Sequence, residues 1–246
     1  NGYDGIDIDY ETFAYKDSRT TWDTTRPNWV AFIAELGTAL HADGRLLTVS
    51  VPPIYDGDRT ADSGYWVYDY AAIDDSVDRI RVMAYDYSVG EPGPIAPLGW
   101  VRSVAKATKR AVGDDSKLVL GIPLYGRNWV VATSGTCPAT AEGTTTVTLA
   151  NIDELIAKRG ATPVHDDGIG ESTFEYQLQV TDGATSCTQT REVHFVDEAG
   201  ARARLDVARE QHLGGVAFWA LGFDSEALWP QITPVARPQA ATATTA

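Results

Sequence analysis

The chain is poor in the residues that build disulfide scaffolds and metal centres. Its 246 residues include two cysteines and four histidines. Two cysteines are too few for a disulfide framework, and they lack the paired spacing of a zinc site. The histidines are scattered and are expected to take surface or capping roles: His41, His165, His194 and His212. We therefore expect no metal ion and no other cofactor.

Positive charge is also scarce. The chain has 20 Lys and Arg against 34 Asp and Glu, which gives a formal net charge of -14. Such a protein repels phosphate backbones and anionic membrane surfaces, so we expect no nucleic acid and no membrane partner. No run approaches the roughly 20 apolar residues of a membrane span. The hydrophobic content of 43% is nevertheless enough for a sizeable core.

Five apolar segments of strand length alternate with helical segments, which is typical of a parallel α/β sheet. The strand segments are residues 3–11, 46–52, 79–87, 117–126 and 214–222. Between the first two, we expect Pro27 to open a helix that Gly44 closes. Further helices are predicted at about 69–77, with Asp69 as the N-cap, and at about 98–112.

The stretch 127–197 interrupts this alternation. It is turn-rich and contains a predicted helix near 152–159, so we interpret it as an α+β insertion. Its strand-like runs are residues 144–149, 174–180 and 191–196. A helix at 198–212 leads back to the sheet. The end of the chain, 233–246, is predicted to be a flexible linker or a disordered tail.

Carboxylates alternate with apolar residues in Asp4-Gly5-Ile6-Asp7-Ile8-Asp9-Tyr10-Glu11. A strand would place Asp7, Asp9 and Glu11 on one face, about 7 Å apart per step, and Ile6, Ile8 and Tyr10 against the helices. Stacked acids cannot all ionise at low cost, so at least one should keep its proton near neutral pH, as a general acid does. A calcium loop is the less favoured alternative, because such loops place polar residues and glycine between their ligands.

Three signatures resemble glycoside hydrolase family 18, the chitinase-like family. The family motif Asp-Gly-x-Asp-x-Asp-x-Glu of the fourth barrel strand is matched in full at 4–11, Met83-Ala84-Tyr85-Asp86 resembles the sixth strand, and Phe218-Trp219 resembles the end of the eighth. The resemblance extends to about Trp229. It implies a (β/α)8 TIM barrel, of which this chain supplies strands four to eight. Strands four to seven would lie in 1–126 and the eighth, with the last barrel helix, in 198–232, leaving 127–197 as the insertion between strands seven and eight.

The resemblance also implies a retaining glycosidase that cleaves β-1,4-linked N-acetylglucosaminides with the help of the substrate's own acetamido group. Glu11 would donate the proton, Asp9 would orient the acetamido N–H, and Asp7 would share a proton with Asp9. Tyr85 would donate to the acetamido oxygen. The residues expected to bind substrate are Asp86, Trp219, Met83 and Trp129.

Trp129 is a candidate because it follows the seventh strand segment at the expected barrel mouth. Trp22, Trp66 and Trp100 are further aromatic candidates for a glycan groove, although packing is the alternative for at least half of these four. Residues 82–87, 93–97, 120–126 and 214–222 resemble the spore germination and cortex-lytic branch, which acts on peptidoglycan, whereas other members cut chitin. The partner is therefore expected to be an N-acetylglucosamine-containing polysaccharide.

Two alternatives to this activity stay open. A catalytically silent glycan-binding protein is disfavoured because Glu11 is retained. An endoglycosidase acting on glycoprotein glycans stays open because specificity lies in loops and in the barrel strands that this chain does not supply. We expect a secreted or cell-wall protein that is monomeric at full length. Cys137 and Cys187 both lie in the insertion and are expected to pair under oxidising conditions, with two separate thiols as the alternative.

Three βα units should precede the fourth strand of such a barrel. Residues 1–246 are therefore expected to be part of a longer protein, and to be poorly soluble or inactive alone because the sheet edges would be unpaired.

Overall fold

The computed structural model describes residues 2–11, 19–54 and 64–236. The chain divides into two compact units. The first comprises Asn1–Tyr87, Ala96–Ile122 and Val207–Trp219, and the second comprises Ser88–Ile95, Pro123–Asp206 and Ala220–Ala246. Within the described ranges, no helix combines the length and the apolar character that crossing a membrane requires.

A five-stranded sheet forms the centre of the first unit. Its strands, in spatial order, are β1 (Gly5–Ile8), β2 (Leu46–Val51), β3 (Arg79–Val82), β4 (Leu118–Pro123) and β10 (Gly215–Trp219). The pairs β1–β2, β2–β3 and β3–β4 are parallel. Leu47, Val49 and Ile80 are fully buried, as expected for strands of a covered parallel sheet. The sheet agrees with the predicted partial barrel.

The helices of the first unit are α1 (Trp22–Ala42), α2 (Tyr70–Ile73) and α3 (Leu98–Ala111). Helix α1 begins ahead of Pro27, which lies inside the helix, so the expectation that this proline opens it was wrong. Helix α2 is one turn, followed by a 3₁₀ turn at Asp74–Ser76. Asp69 occupies the predicted N-cap position of α2, but its side chain makes no capping hydrogen bond: its backbone is left-handed, with φ 36°, and its carboxylate lies 2.6 Å from the guanidinium of Arg26.

The second unit contains an antiparallel sheet with the order β6-β5-β9-β8-β7. The strands are β5 (Tyr125–Gly135), β6 (Thr145–Thr148), β7 (Val164–Asp166), β8 (Glu171–Asp182) and β9 (Thr185–Phe195). With α4 (Ile152–Arg159), this sheet forms the α+β insertion. Strands β8 and β9 are longer than the predicted runs 174–180 and 191–196, because polar residues occupy their exposed faces, whereas β6 is shorter than the predicted run 144–149.

Two further helices follow the insertion in the chain, α5 (Glu198–Glu210) and α6 (Leu228–Ala236). The predicted start of the flexible tail at residue 233 was wrong, since residues 233–236 belong to helix α6. The remainder of that tail, 237–246, lies outside the described residues. Cys137 and Cys187, which were predicted to pair, are joined by a disulfide with their Cα atoms 4.7 Å apart.

Candidate active site

The carboxylate motif begins on β1 and continues beyond it. Strand pairing ends at Ile8, so Asp9 and Glu11 follow the strand, where the sequence had predicted that they extend it. The predicted burial of the opposite face holds for Ile8 but is wrong for Ile6, which is 46% exposed. Tyr10 is 51% exposed, yet its ring stacks on Phe32 of α1 with centroids 5.8 Å apart.

Asp7 has two partners from the neighbouring strands. Ser50 of β2 donates its hydroxyl to Asp7 Oδ1 at 2.9 Å, and Arg81 Nη1 of β3 lies 3.0 Å from Asp7 Oδ2. Neither residue was predicted. Arg81 had a detectable signal, because it is a charged residue in the interior of the short strand Arg79–Val82, between the apolar residues Ile80 and Val82. The arginine sets a positive charge beside the acids of the motif.

Glu11 and Asp9 both have raised pKa values. Burial raises the pKa of Glu11, and the negative charges of Asp9 and Asp86 raise it further. Burial and the charge of Asp7 raise the pKa of Asp9, while the positive charge of Arg81 opposes them. A carboxyl group that keeps its proton to higher pH is suited to general acid catalysis. These mutual effects indicate that the acids of 7–11 and Asp86 share one site.

The segment after β3 brings Tyr85 to the same acids. Its pKa is raised by burial and by the negative charges of Asp9, Glu11 and Asp86, so the hydroxyl stays protonated and can donate a hydrogen bond. Met83 precedes it, and the Met83 backbone N–H donates to the carbonyl of Val51 at 3.0 Å. Met83 is thus held beside the end of β2, in the segment that carries Tyr85.

Gly121 of β4 makes room for Tyr85. A Cβ atom at Gly121 would lie 2.9 Å from Tyr85 Cε1 and 2.7 Å from the carbonyl oxygen of Val82. Both distances are shorter than ordinary contacts, so a side chain there would displace the ring or the strand. The sequence pattern did not single out this glycine. Asp86 has a left-handed backbone, with φ 58°, directly after Tyr85.

The two tryptophans predicted to bind substrate differ in exposure. Trp219 ends β10 and is 49% exposed, so its ring is accessible. Trp129 is 2% exposed, and its indole N–H donates to the carbonyl of Val89 at 3.1 Å. This burial contradicts the prediction that Trp129 binds substrate, because a platform for a sugar needs an open face. Its edge-to-face contact with His194, at 5.7 Å, identifies it as a packing residue.

The remaining tryptophan candidates are half-buried. The guanidinium of Arg26 covers the ring of Trp66 at 4.3 Å, and the Trp100 ring packs against Tyr87 at 5.3 Å. Trp22 begins α1.

Over residues 2–11, 19–54 and 64–236, no group of three or more His, Cys, Asp or Glu side chains is arranged to hold a metal ion.

The side chain of Tyr68 contacts the backbone of the motif, and this contact was also not predicted. Its hydroxyl lies 2.5 Å from the carbonyl oxygen of Tyr10 and 3.1 Å from that of Glu11. The nearest sequence clue is the aromatic run Tyr65-Trp66. It does not indicate which tyrosine hydroxyl contacts Tyr10 and Glu11, from which Tyr68 is separated by 58 and 57 positions in the chain.

Comparison with known proteins gives a consistent result. The model of glycosyl hydrolases family 18 matches residues 1–224. The uncharacterized glycosylase YvbX of Bacillus subtilis is 29% identical over 94% of this chain and 61% of its own length. A cortical fragment-lytic enzyme of Bacillus subtilis is 26% identical over 88% of this chain and 49% of its own.

A crystal structure of a chitinase from Chromobacterium violaceum has a TM-score of 0.74 and 28% identity, and the match covers 96% of this chain and 67% of that one. The chain therefore spans about half to three fifths of the curated relatives named above, at 49% and 61%. The match to the family model includes the whole carboxylate motif and continues past Trp219. The chain belongs to glycosyl hydrolase family 18.

Proposed function

We propose that this protein is a retaining glycosidase that hydrolyses β-1,4-linked N-acetylglucosaminides. The observation that carries the proposal is the cluster in which Asp9 and Asp86 raise the pKa of Glu11, next to the protonated hydroxyl of Tyr85. This arrangement supplies one acid that keeps its proton and one neutral hydrogen-bond donor. Both are needed when the substrate itself provides the nucleophile.

In the first step, Glu11 protonates the glycosidic oxygen while the acetamido oxygen of the sugar attacks the anomeric carbon. The C–O bond to the leaving sugar breaks, and a cyclic oxazolinium ion forms. Asp9 accepts a hydrogen bond from the acetamido N–H and offsets the positive charge of this ion. Tyr85 donates its hydroxyl to the acetamido oxygen and so fixes the angle of attack.

In the second step, water attacks the anomeric carbon and gives its proton to the Glu11 carboxylate. The oxazolinium ring opens, the acetamido group is restored, and the product keeps the original configuration. Asp7 shares a proton with Asp9, and its pairing with Ser50 and Arg81 supports that role. Asp86 binds a sugar hydroxyl, and the exposed ring of Trp219 stacks under the sugar.

The substrate class follows from the acetamido requirement. Chitin and peptidoglycan both carry N-acetylglucosamine, and this chain is similar both to a chitinase and to a cortical fragment-lytic enzyme. We favour peptidoglycan because the similarity to a cortical fragment-lytic enzyme joins the matches of 82–87, 120–126 and 214–222 to the cortex-lytic branch. The second candidate is chitin, favoured by the likeness to the Chromobacterium chitinase.

An oxidising location is supported by the disulfide between Cys137 and Cys187. Such bonds persist in exported proteins and are rare where thiols are kept reduced. We therefore propose that the protein is secreted or associated with the cell wall. We also propose that the full-length protein acts as a monomer.

The proposed function is tested by incubating the full-length protein with chitooligosaccharides, peptidoglycan and a high-mannose glycoprotein. Products are identified by mass, and their anomeric configuration is read by NMR at early times. We expect cleavage after N-acetylglucosamine with the β-configuration retained. Binding of these glycans without any product would identify a silent glycan-binding protein, and inverted products would contradict the substrate-assisted mechanism.

A further inference from the structure

The motif residues beyond β1 need partners that the sheet does not provide. The pairing of β1 with β2 ends at Ile8 and Val49, so the backbone of Tyr10 and Glu11 is not part of that ladder. Backbone carbonyls that leave a sheet must find other donors if the segment is to keep one conformation. The position of the Glu11 carboxyl depends on that conformation.

Tyr68 provides such a donor. Its hydroxyl proton is shared between the carbonyl oxygens of Tyr10, at 2.5 Å, and Glu11, at 3.1 Å. The phenol is 0% exposed, and burial, together with the charges of Glu11 and Asp9, raises its pKa. The hydroxyl therefore stays protonated wherever the protein is folded at ordinary pH.

Tyr68 is itself held in place by α1. It ends the 3₁₀ turn Gly64–Tyr68, and its backbone carbonyl accepts a hydrogen bond from the indole N–H of Trp29 at 3.0 Å. The Trp29 ring, 3% exposed, packs edge-on against the Tyr68 ring with centroids 5.6 Å apart. The donor thus has one fixed orientation before any substrate binds.

We propose that Tyr68 is a positioning residue, which fixes the backbone at Tyr10 and Glu11 so that the Glu11 carboxyl meets the glycosidic oxygen. The inference rests on the proposed function, because it assigns Tyr68 to the proton transfer in that reaction. The Tyr68 hydroxyl donates to the backbone of the motif, at Tyr10 and Glu11, so it acts through the position of Glu11. Its removal should impair protonation of the leaving group far more than substrate binding.

The test compares two aryl β-glycosides of N,N′-diacetylchitobiose in the full-length protein. One releases 2,4-dinitrophenol, which leaves without being protonated, and the other releases 4-methylphenol, which needs a proton from the acid. In Tyr68→Phe, we expect kcat for the 4-methylphenyl glycoside to fall about tenfold to a hundredfold with little change in KM, as for misplaced catalytic groups. The 2,4-dinitrophenyl glycoside should lose less than about threefold, since its departure avoids the proton transfer.

Tyr70→Phe is the matched control. Tyr70 is 3% exposed, and its hydroxyl also donates to a backbone carbonyl, that of Pro52. Its loss should leave the ratio of the two rates unchanged. Because both rates are measured in one preparation, their ratio does not depend on the fraction of folded protein, and partial unfolding of Tyr68→Phe cannot imitate the effect.

Two outcomes would overturn the inference, and they are distinguishable. If the wild type is active and Tyr68→Phe lowers both rates equally, or neither, Tyr68 has no role in proton transfer and the proposed function stands. If the wild type hydrolyses neither glycoside, the proposed function fails and the inference fails with it. Glu11→Gln serves as the reference, because loss of the acid itself should change the ratio of the two rates most.

Discussion

Burial acts on charged groups in both units: it is partial in the acid cluster of the first unit and nearly complete in the ion pair of the second, and the neighbouring charges differ in sign. In the second unit, Arg204 and Glu171 are 0% and 1% exposed, and their charged groups lie 2.9 Å apart. Arg204 also donates to the carbonyl oxygens of Gly170, at 2.7 Å, and Gly200, at 2.8 Å, while Glu171 accepts from the backbone N–H of Ile95 at 2.8 Å. Each charge therefore meets an opposite charge and fixed dipoles.

In the acid cluster, other carboxylates affect the pKa values of Asp9 and Glu11 more than the positive charge of Arg81 does. Burial raises the pKa values of Asp9 and Glu11, and neighbouring carboxylates raise them further: Asp7 for Asp9, and Asp9 and Asp86 for Glu11. For Arg204, burial lowers the pKa to about 10, and the charges of Glu171 and Asp197 oppose that fall. Partial burial among repelling neighbours thus favours an acid that keeps its proton, whereas full burial between attracting neighbours keeps an ion pair charged.

The largest expected effect is on catalysis by the acid cluster. Glu11→Gln removes the transferable proton with little change in volume, so kcat should fall by about 10²- to 10⁴-fold while glycan binding is kept. Steady-state kinetics with chitooligosaccharides checks this, with Glu35→Gln on the exposed face of α1 as the control. Full activity in Glu11→Gln would contradict the assignment of Glu11 as the proton donor.

The stable pair should respond through folding instead. Arg204→Met leaves Glu171 buried without its partner, so the free energy of unfolding should fall by about 3 to 5 kcal/mol. Denaturant titration measures the change. Arg202→Met is the control on the same helix, because Arg202 pairs with Asp206 at 3.0 Å with both side chains more than a third exposed, and such pairs contribute about 0 to 1 kcal/mol. Equal losses in the two variants would contradict the role assigned to burial.

The disulfide should contribute a somewhat smaller amount in the second unit. It closes a loop with a sequence separation of 50, and such bonds typically stabilise the fold by about 2 to 4 kcal/mol. Replacing both Cys137 and Cys187 by Ser should therefore lower the unfolding midpoint, and reductant should lower the wild type to the same value. If reductant also shifts the unfolding midpoint of the double variant, its effect on the wild type is not due to the disulfide alone.

The smallest expected effect concerns pH. Because the negative charge of Asp86 raises the pKa of Glu11, Asp86→Asn should lower that pKa. Glu11 must be protonated to act, so the alkaline limb of the kcat/KM profile should move to lower pH. Asp75→Asn, a change of the same charge in the 3₁₀ turn Asp74–Ser76, should leave the limb in place. Identical limbs in wild type and Asp86→Asn would show that these acids are not coupled.

Sequence patterns predicted the features that repeat locally along the chain. Alternation of apolar segments indicated the parallel strands, and the spacing of Asp7, Asp9 and Glu11 indicated the site, because both depend on residues close in sequence. Pro27 was misassigned because proline is tolerated inside this helix, where packing of the buried Trp29 and Ile33 contributes more than propensity.

Contacts between distant segments could not be predicted in the same way. Arg81 of β3 pairs with Asp7 of β1 across the intervening strand β2, although the two residues are far apart in the sequence. Tyr68 reaches Glu11 from a 3₁₀ turn that has no sequence period. The burial of Trp129 depends on the backbone of Val89, whose position no local pattern specifies. Aromatic residues in particular serve packing and binding equally well, so their roles require coordinates.

The absence of a side chain at Gly121 has a consequence for how this site can vary. The ring of Tyr85 occupies the space that any Cβ there would need. Even alanine would therefore press on the hydroxyl-bearing ring from behind, although position 121 carries no functional group. In a saturation library selected for hydrolysis, position 121 should accordingly tolerate substitution as poorly as the acids of the motif. A ranking of positions by tolerance to substitution would then wrongly place Gly121 among the residues that take part in the chemistry.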